Sequence, residues 1–361
     1  MKLTIIALGL LLLAACSTQR QLTVGIILPF TGDYSSLAES QRNALEMANQ
    51  KVHAKLIFED EKSCDPKAAV TAAEKLITVD GVNAIITSAC AVGLQSVMPI
   101  AYRYKTPFIA PLGIQTFLTG EYIGENIHPE YANYSAGLLP SPAIVWRAHA
   151  HEAFKISKRI AIIATQDLGP QLNVRYFKEE YEKIGGKVVL YEETPKGTLD
   201  FRTLLLKLDQ TDALIWPHLA PDERIAFYRQ KNELDLLKGK TILGDLFIDI
   251  ELAKFTEQLG KNYLDGTITT NFKSTTTQTF KNAYEQRYNK SPNLGADSTY
   301  DTLFMLSEAY NTCKGDKTCI ASAFKALPYN DASGKIEFNA QGDRIGEPIT
   351  RVIENGTLVE R

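Results

Sequence analysis

The sequence has only one long hydrophobic run. After residue 15 every apolar stretch is strand-sized, so nothing in the body of the chain is long enough to span a bilayer. Charge of one sign is also missing. With a net charge of −3 and 22% charged residues, nothing favours nucleic acid or an anionic membrane surface as a partner. Five histidines and five cysteines include no C-x-x-C pair and no spacing that completes a metal site, so no metal or other cofactor is expected. Catalytic signatures are absent as well: there is no G-x-S-x-G elbow, P-loop, G-x-G-x-x-G or H-E-x-x-H, which argues against an enzyme. Apolar residues at 45% and aromatics at 9% describe a folded chain rather than a disordered one.

The one greasy stretch is N-terminal. Lys2, an almost wholly apolar segment from Leu3 to Ala15 and the small pair Ala14-Ala15 have the anatomy of a secretory signal peptide over residues 1–15. Leu13-Ala14-Ala15-Cys16 resembles the bacterial lipobox, which implies lipid on Cys16, a tether over 16–21 and a membrane attachment through that lipid. Ser17 resembles the outer-membrane class of such proteins in a two-membrane cell.

Export makes disulfides possible. With Cys16 set aside, Cys64, Cys90, Cys313 and Cys319 remain. Cys313 and Cys319 bracket the polar loop KGDKT and can close a local bridge. Cys64 follows the strand-like AKLIFED and Cys90 follows VNAIITSA; parallel strands end at one sheet edge, so Cys64–Cys90 is the expected second pair.

About 345 residues beyond the leader are comfortable for two lobes. LTVGIILPF reads as a buried strand, and Leu37, Ala44, Leu45 and Ala48 share one face of the helix that follows. AKLIFED, PKAAVTAAEKLITV, VNAIITS, VGLQSVMPIAYRY and PFIAP continue the alternation of strand and helix, with Asp65 as an N-cap before Pro66. EYANYSAGLLPSP reads as a loop, after which RIAIIATQD starts a second cycle that ends in the strand KTILGD. The expected fold is α/β, with two doubly wound parallel-sheet lobes joined by a multi-strand hinge. Lobe one takes 22–140 and 272–333; lobe two takes 141–271 and 334–361.

VGIILPFTGDYSSLAES…ALEMAN, FEDEKSCDPKAAVTAAEKLI, FKNAYEQRYNKSPNLGADSTYD and GKIEFNAQGD together resemble type I periplasmic solute-binding proteins of the leucine/isoleucine/valine-binding branch, in register from about Leu22 onward. The resemblance also carries a cysteine pair like Cys64–Cys90. It implies hinge closure over a small molecule and delivery to an ABC-type membrane permease. It places first-lobe contacts in the loops after the third and fourth strands, here Cys90, Ala91, Leu112, Gly113 and Ile114. Amino-acid binders of this branch tend to have a serine where Ala91 stands and a threonine where Ile114 stands, and their hydroxyls hold the α-carboxylate and α-ammonium. Both are missing here. The acidic residue expected in lobe two falls at Leu246, with Asp245 one position earlier, and a tyrosine-glycine pair appears as Leu168-Gly169. A site that loses such donors loses much of its discrimination, so a carboxylate or a neutral, partly apolar ligand suits this cleft better than a free amino acid. Backbone N–H groups at the helix start after Cys90 remain able to hold an anion.

Five further residues belong to the expected site. Tyr34 lies in the first strand-to-helix loop and matches a tyrosine near the cleft of the resembled branch. Trp216 and His218 flank Pro217 at a strand end and face the expected cleft. Asp245 and Phe247 follow KTILG, where Asp245 either meets a cationic ligand or caps the next helix. His149 and His151, two apart, point to different helix faces. Two functions fit the sequence: a lipid-anchored solute-binding protein, or an envelope lipoprotein that uses the same fold to regulate or scaffold a protein partner.

Overall fold

The computed structural model describes residues 21–32, 34–87, 91–112, 129–140, 142–339 and 343–361. The first cycle runs β1 (Thr23–Leu28), α1 (Ser35–Val52), β2 (Lys55–Asp60), α2 (Pro66–Thr78), β3 (Ala84–Thr87), α3 (Ala91–Arg103), β4 (Phe108–Ala110) and β5 (Ser135–Pro140). The second runs α4 (Pro142–Ile156), β6 (Arg159–Thr165), α5 (Leu168–Lys183), β7 (Lys187–Thr194), α6 (Arg202–Asp209), β8 (Leu214–His218), α7 (Pro221–Glu233), α8 (Leu246–Leu259) and β9 (Ile268–Phe272). The chain continues through α9 (Gln278–Tyr288), α10 (Ala296–Cys313), α11 (Lys317–Ala326), β10 (Tyr329–Asp331), β11 (Gly334–Ile336), β12 (Asp343–Arg344), β13 (Pro348–Glu354) and β14 (Thr357–Glu360).

Strand order β12-β5-β4-β3-β1-β2 makes a parallel first sheet. Its strands are apolar on both faces because helices cover both. On one side Val24, Ile26 and Ile86 pack with α1, α9 and α10; on the other Ile27 and Ile85 pack with α2 and α3. Gly25 allows this closeness, since a Cβ there would stand 2.8 Å from Leu76 Cδ1. Asp65 caps α2 as expected, accepting from Lys67 N at 2.9 Å with Pro66 at the first turn, an arrangement worth about 1 kcal/mol. The buried stripe of α1 runs through Ala38, Ala44, Leu45 and Ala48, with Leu37 only half-buried. Polar contacts add to it: Ser40 Oγ lies 3.0 Å from Tyr284 Oη, and Gln41 Nε2 donates to Thr299 Oγ1 at 3.3 Å.

The second sheet is the parallel trio β7-β6-β8, extended by single bridges from Ile215 to Ile242 and from Leu243 to Ile268 into β9, β13 and β14. Three expectations change. The segment read as a loop before residue 142 contains β5, because Ala136 and Leu138 alternate into the first core. KTILGD forms only the two bridging residues rather than a strand. The final passage to the second sheet also lies later than residue 334: Ile336 packs in the first core, β12 pairs with β5, and the chain joins β9 at Pro348. Cys313 and Cys319 form the expected disulfide, Cα atoms 5.5 Å apart. No helix among the described residues is long and apolar enough to cross a membrane.

Candidate functional site

Strands of both parallel sheets point their carboxyl ends at loops, where open α/β folds bind ligands. In the first sheet, Asp60 at the end of β2 accepts from Phe30 N at 2.9 Å, Thr31 Oγ1 at 2.9 Å and Lys62 N at 2.8 Å. These bonds fix the loop that carries Tyr34. Its turn needs Gly32, at φ +91° with Ser63 Cβ 2.6 Å from where a Cβ would stand. Tyr34 is half-buried and its carbonyl accepts from Leu37 N and Ala38 N, both at 3.0 Å, so it starts α1. Ala91 opens α3, which runs beside α5, the helix that begins at Leu168-Gly169. Leu112 is buried against Gly295, while Ser298 Oγ donates to the neighbouring Pro111 carbonyl at 3.0 Å. Cys64 is disulfide-bonded. Its expected partner Cys90, together with Gly113, Ile114 and the lipidation candidate Cys16, lies outside the described residues.

In the second sheet the structure brings Trp216, His218 and Asp245 together, all of them buried. Trp216 stacks on His218 with ring centroids 5.1 Å apart and packs against Phe177 at 4.5 Å and Trp146 at 5.4 Å. It is a core residue under the cleft edge rather than an open stacking platform. Asn173 Nδ2, a donor, lies 3.1 Å from His218 Nε2, so that nitrogen accepts. The proton therefore sits on Nδ1, which donates to Asp245 Oδ2 at 2.9 Å. The same oxygen accepts from Arg224 Nη2 at 2.8 Å, and that guanidinium also donates to the Leu219 carbonyl at 2.6 Å. Asp245 thus spends its charge inside the lobe. Its backbone carbonyl accepts from Ile248 N at 3.1 Å as α8 begins, and Phe247 belongs to that first turn.

A second buried carboxylate is held alike. Glu223 accepts from Gly197 N at 2.6 Å and from the Thr165 hydroxyl, whose oxygen in turn accepts from Ala220 N at 2.9 Å. His149 is buried with Nδ1 2.8 Å from Thr270 Oγ1, and burial holds it far below the usual imidazole range, at about 3. His151 faces outward to Glu180 Oε1 at 3.0 Å. Burial likewise pushes the Tyr228 phenol up, with Asp245 adding to the effect.

Asn173, Glu223 and Arg224 are absent from the sequence-derived site. The signal was positional: α7 starts three residues after the end of β8 and carries an acid and a base in its first turn, at the sheet edge where ligands bind. Its buried run Glu223–Tyr228 follows no amphipathic stripe, so a surface-helix reading of DERIAFYRQKNEL overlooks it.

Residues 21–352 match the family model described as periplasmic binding protein. The chain belongs to that family. The curated relatives it resembles include leucine/isoleucine/valine-binding protein homologues. It is 23% identical over 347 residues to Leu/Ile/Val-binding protein homolog 7 of Brucella suis, covering 89% of this chain and 85% of that protein. Its fold is similar to that of the leucine-binding protein LivK of Thermotoga maritima, with TM-score 0.81, 21% identity and coverage of 94% and 97% of the two chains. A solute-binding protein of an R. palustris ABC transporter, solved in complex with benzoate, is similar at TM-score 0.80 and 18% identity, covering 94% of this chain and 95% of that one. Members of this family are extracytoplasmic solute-binding proteins rather than enzymes.

Proposed function

We propose that this periplasmic binding protein is lipid-anchored at Cys16 and captures a small carboxylate with an apolar or aromatic body, rather than a free amino acid, for an ABC-type permease. One observation carries the ligand class. The lobe-two acid nearest the expected ammonium partner, Asp245, is buried and shared between Arg224 at 2.8 Å and His218 at 2.9 Å. A buried carboxylate already neutralised by a guanidinium offers little to a ligand ammonium, and moving the arginine away would leave a charge uncompensated. Ala91 and Ile114, standing where amino-acid binders tend to have hydroxyls, support the same reading. So does the benzoate held by the similar R. palustris fold. Anchoring rests on Leu13-Ala14-Ala15-Cys16 and the apolar lead-in, with Ser17 favouring the outer membrane.

The test is a thermal-shift panel of branched-chain amino acids, aliphatic and aromatic carboxylates, amides and short peptides. A ligand at about 100 times Kd stabilises by roughly 2.7 kcal/mol, a clear shift. The expected hits lack an α-amino group. Leucine or isoleucine as the strongest hit would overturn the ligand class, and silence across the panel would favour the scaffolding lipoprotein with a protein partner. Cys16→Ser is expected to release the protein into the soluble fraction; a variant still firmly membrane-bound would sink the anchor.

A further inference from the structure

The first sheet is parallel, so all its strands start at one edge, opposite the cleft, and the chain enters the fold there. Gln21 Nε2 donates to the His53 carbonyl at 2.7 Å, Lys55 N to the Leu22 carbonyl at 2.8 Å, and Asn83 N to the Thr23 carbonyl at 2.8 Å. Two strands away from β1, the end of α3 leaves Tyr102, Arg103, Tyr104 and Lys105 exposed in succession. This run is held in place rather than trailing. Tyr102 packs on Tyr131 and Tyr134 at ring distances of 5.2 and 5.9 Å, Lys105 N donates to the Tyr102 carbonyl at 3.0 Å, and Tyr134 Oη lies 3.3 Å from Thr318 Oγ1 in the Cys313–Cys319 loop. Between β1 and β4 on the same edge stands Val79, 75% exposed, the most exposed large hydrophobic among the described residues.

Charge distinguishes this edge from the chain as a whole, whose net charge is −3. Lys51, Lys55, Arg103, Lys105 and Lys314 are exposed on it. Of the acids nearby, Asp80 is paired with Lys75 at 3.1 Å, Asp316 caps α11 by accepting from Cys319 N at 2.7 Å, Glu130 stands beside Tyr131, and Glu74 is exposed on α2 before Val79, so the exposed cations still outnumber the acids that face outward. Interleaved tyrosines and cations with an exposed aliphatic side chain are the chemistry of a bilayer interface, where phenol rings sit at headgroup depth and lysine and arginine meet anionic lipid.

We propose that this strand-start edge of lobe one, centred on Tyr102–Lys105 and Val79, rests on the anionic membrane surface. The inference depends on the lipid-anchor reading above. Residues 16–21 reach at most about 20 Å when fully extended, and Tyr102–Lys105 lies two strand spacings, roughly 10 Å, from the entry of the chain. A lipid on Cys16 therefore keeps this edge within reach of the headgroups.

The test uses the full-length, lipidated chain in vesicles of phosphatidylcholine with about one quarter phosphatidylglycerol as the probe. Single fluorescent labels go on Tyr104→Cys, Val79→Cys and, as a lobe-two control, Leu199→Cys. A spin-labelled lipid is expected to quench the labels at 79 and 104 several-fold more than the label at 199. Adding Arg103→Glu and Lys105→Glu should reduce that difference while the protein still floats with the vesicles. Equal quenching at all three positions, with the protein still anchored, would overturn the membrane contact alone. Quenching at 79 and 104 that needs the permease in the bilayer would also overturn it, in favour of protein docking. A full-length chain that fails to float would show that the anchor itself is wrong and would take this inference with it.

Discussion

Arg224 Nη2 and Asp245 Oδ2 lie 2.8 Å apart, with side chains 1% and 0% exposed. A pair so placed is held less by its own attraction than by the cost of separating either charge from the other. Replacing Arg224 with methionine leaves the buried Asp245 without its guanidinium partner, and should destabilise the protein by about 3–5 kcal/mol. The double variant Arg224→Met, Asp245→Asn removes both charges and should recover much of that loss. Urea unfolding of the two variants checks this. Equal destabilisation in both would mean that packing of the Arg224 side chain against Phe255, 5.8 Å away, matters more than charge.

Strand and helix alternation was legible because the central strands β1, β3, β6 and β8 are parallel and buried on two faces, so they read as uninterrupted apolar runs. β5 was not legible, since Ser-Ala-Gly-Leu-Leu-Pro has small residues and a proline and looks like a turn until the neighbouring strand β4 is supplied. One cluster of the expected site was legible as a spatial group. His218 ends β8 and Asp245 follows the bridging pair Ile242–Leu243, positions that loop rules can find, and with Trp216 they do come together. Which of them meets the cleft depends on Arg224 and Asn173, carried by two helices distant in sequence, and no local pattern announces a long-range pair. Composition also concealed the basic strand-start edge, because a chain-wide charge averages it away.

His149 predicts a pH dependence. Its unfolded form titrates near 6.5, whereas burial holds the folded form at about 3. Below pH 6.5 the unfolded chain therefore binds a proton that the native state refuses. The contribution is fully present above pH 6.5 and is lost as pH falls toward 3, at about 1.4 kcal/mol per pH unit, or roughly 4–5 kcal/mol over the whole window. His149→Phe should remove about one proton from the pH slope of unfolding free energy between pH 6 and 4. Urea melts at several pH values measure it, and an unchanged slope would refute the assignment.

Asp301 acts in the opposite direction. Burial raises its carboxyl to about 7 from 3.8, although Ser333 N at 2.7 Å, Ser333 Oγ at 2.6 Å and Ala332 N at 3.0 Å all donate to it and favour the charged form. Its stabilising contribution is full below pH 3.8 and is lost as pH rises through 7. Between pH 4 and 6.5 it therefore offsets His149, and these two groups together leave stability nearly flat with pH. Asp301→Asn also weakens the anchoring of Ser333, so the readout is the slope rather than absolute stability. The expected outcome is stability that climbs with pH across 4 to 6.5, opposite in sign to what His149→Phe reveals.

Gly295 ties the backbone of α10 to the expected ligand wall. It caps that helix at φ +77°, and a Cβ placed on it would stand 2.2 Å from Leu112 Cδ2 and 2.4 Å from Leu112 Cγ. Gly295→Ala thus meets two separate costs, about 1 kcal/mol or more for the left-handed backbone and about 1–3 kcal/mol for displacing a well-packed leucine. Shortening the obstructing side chain addresses only the second. Combined with Leu112→Ala, the alanine at 295 should cost less than it does alone, giving a double-mutant coupling of about 1 kcal/mol or more. If Leu112 also lines the ligand site, Gly295→Ala should weaken binding of the best carboxylate beyond what its loss of stability explains, measured by calorimetry at a temperature where the variant is fully folded. Additive stabilities and unchanged affinity would place Leu112 in the core alone.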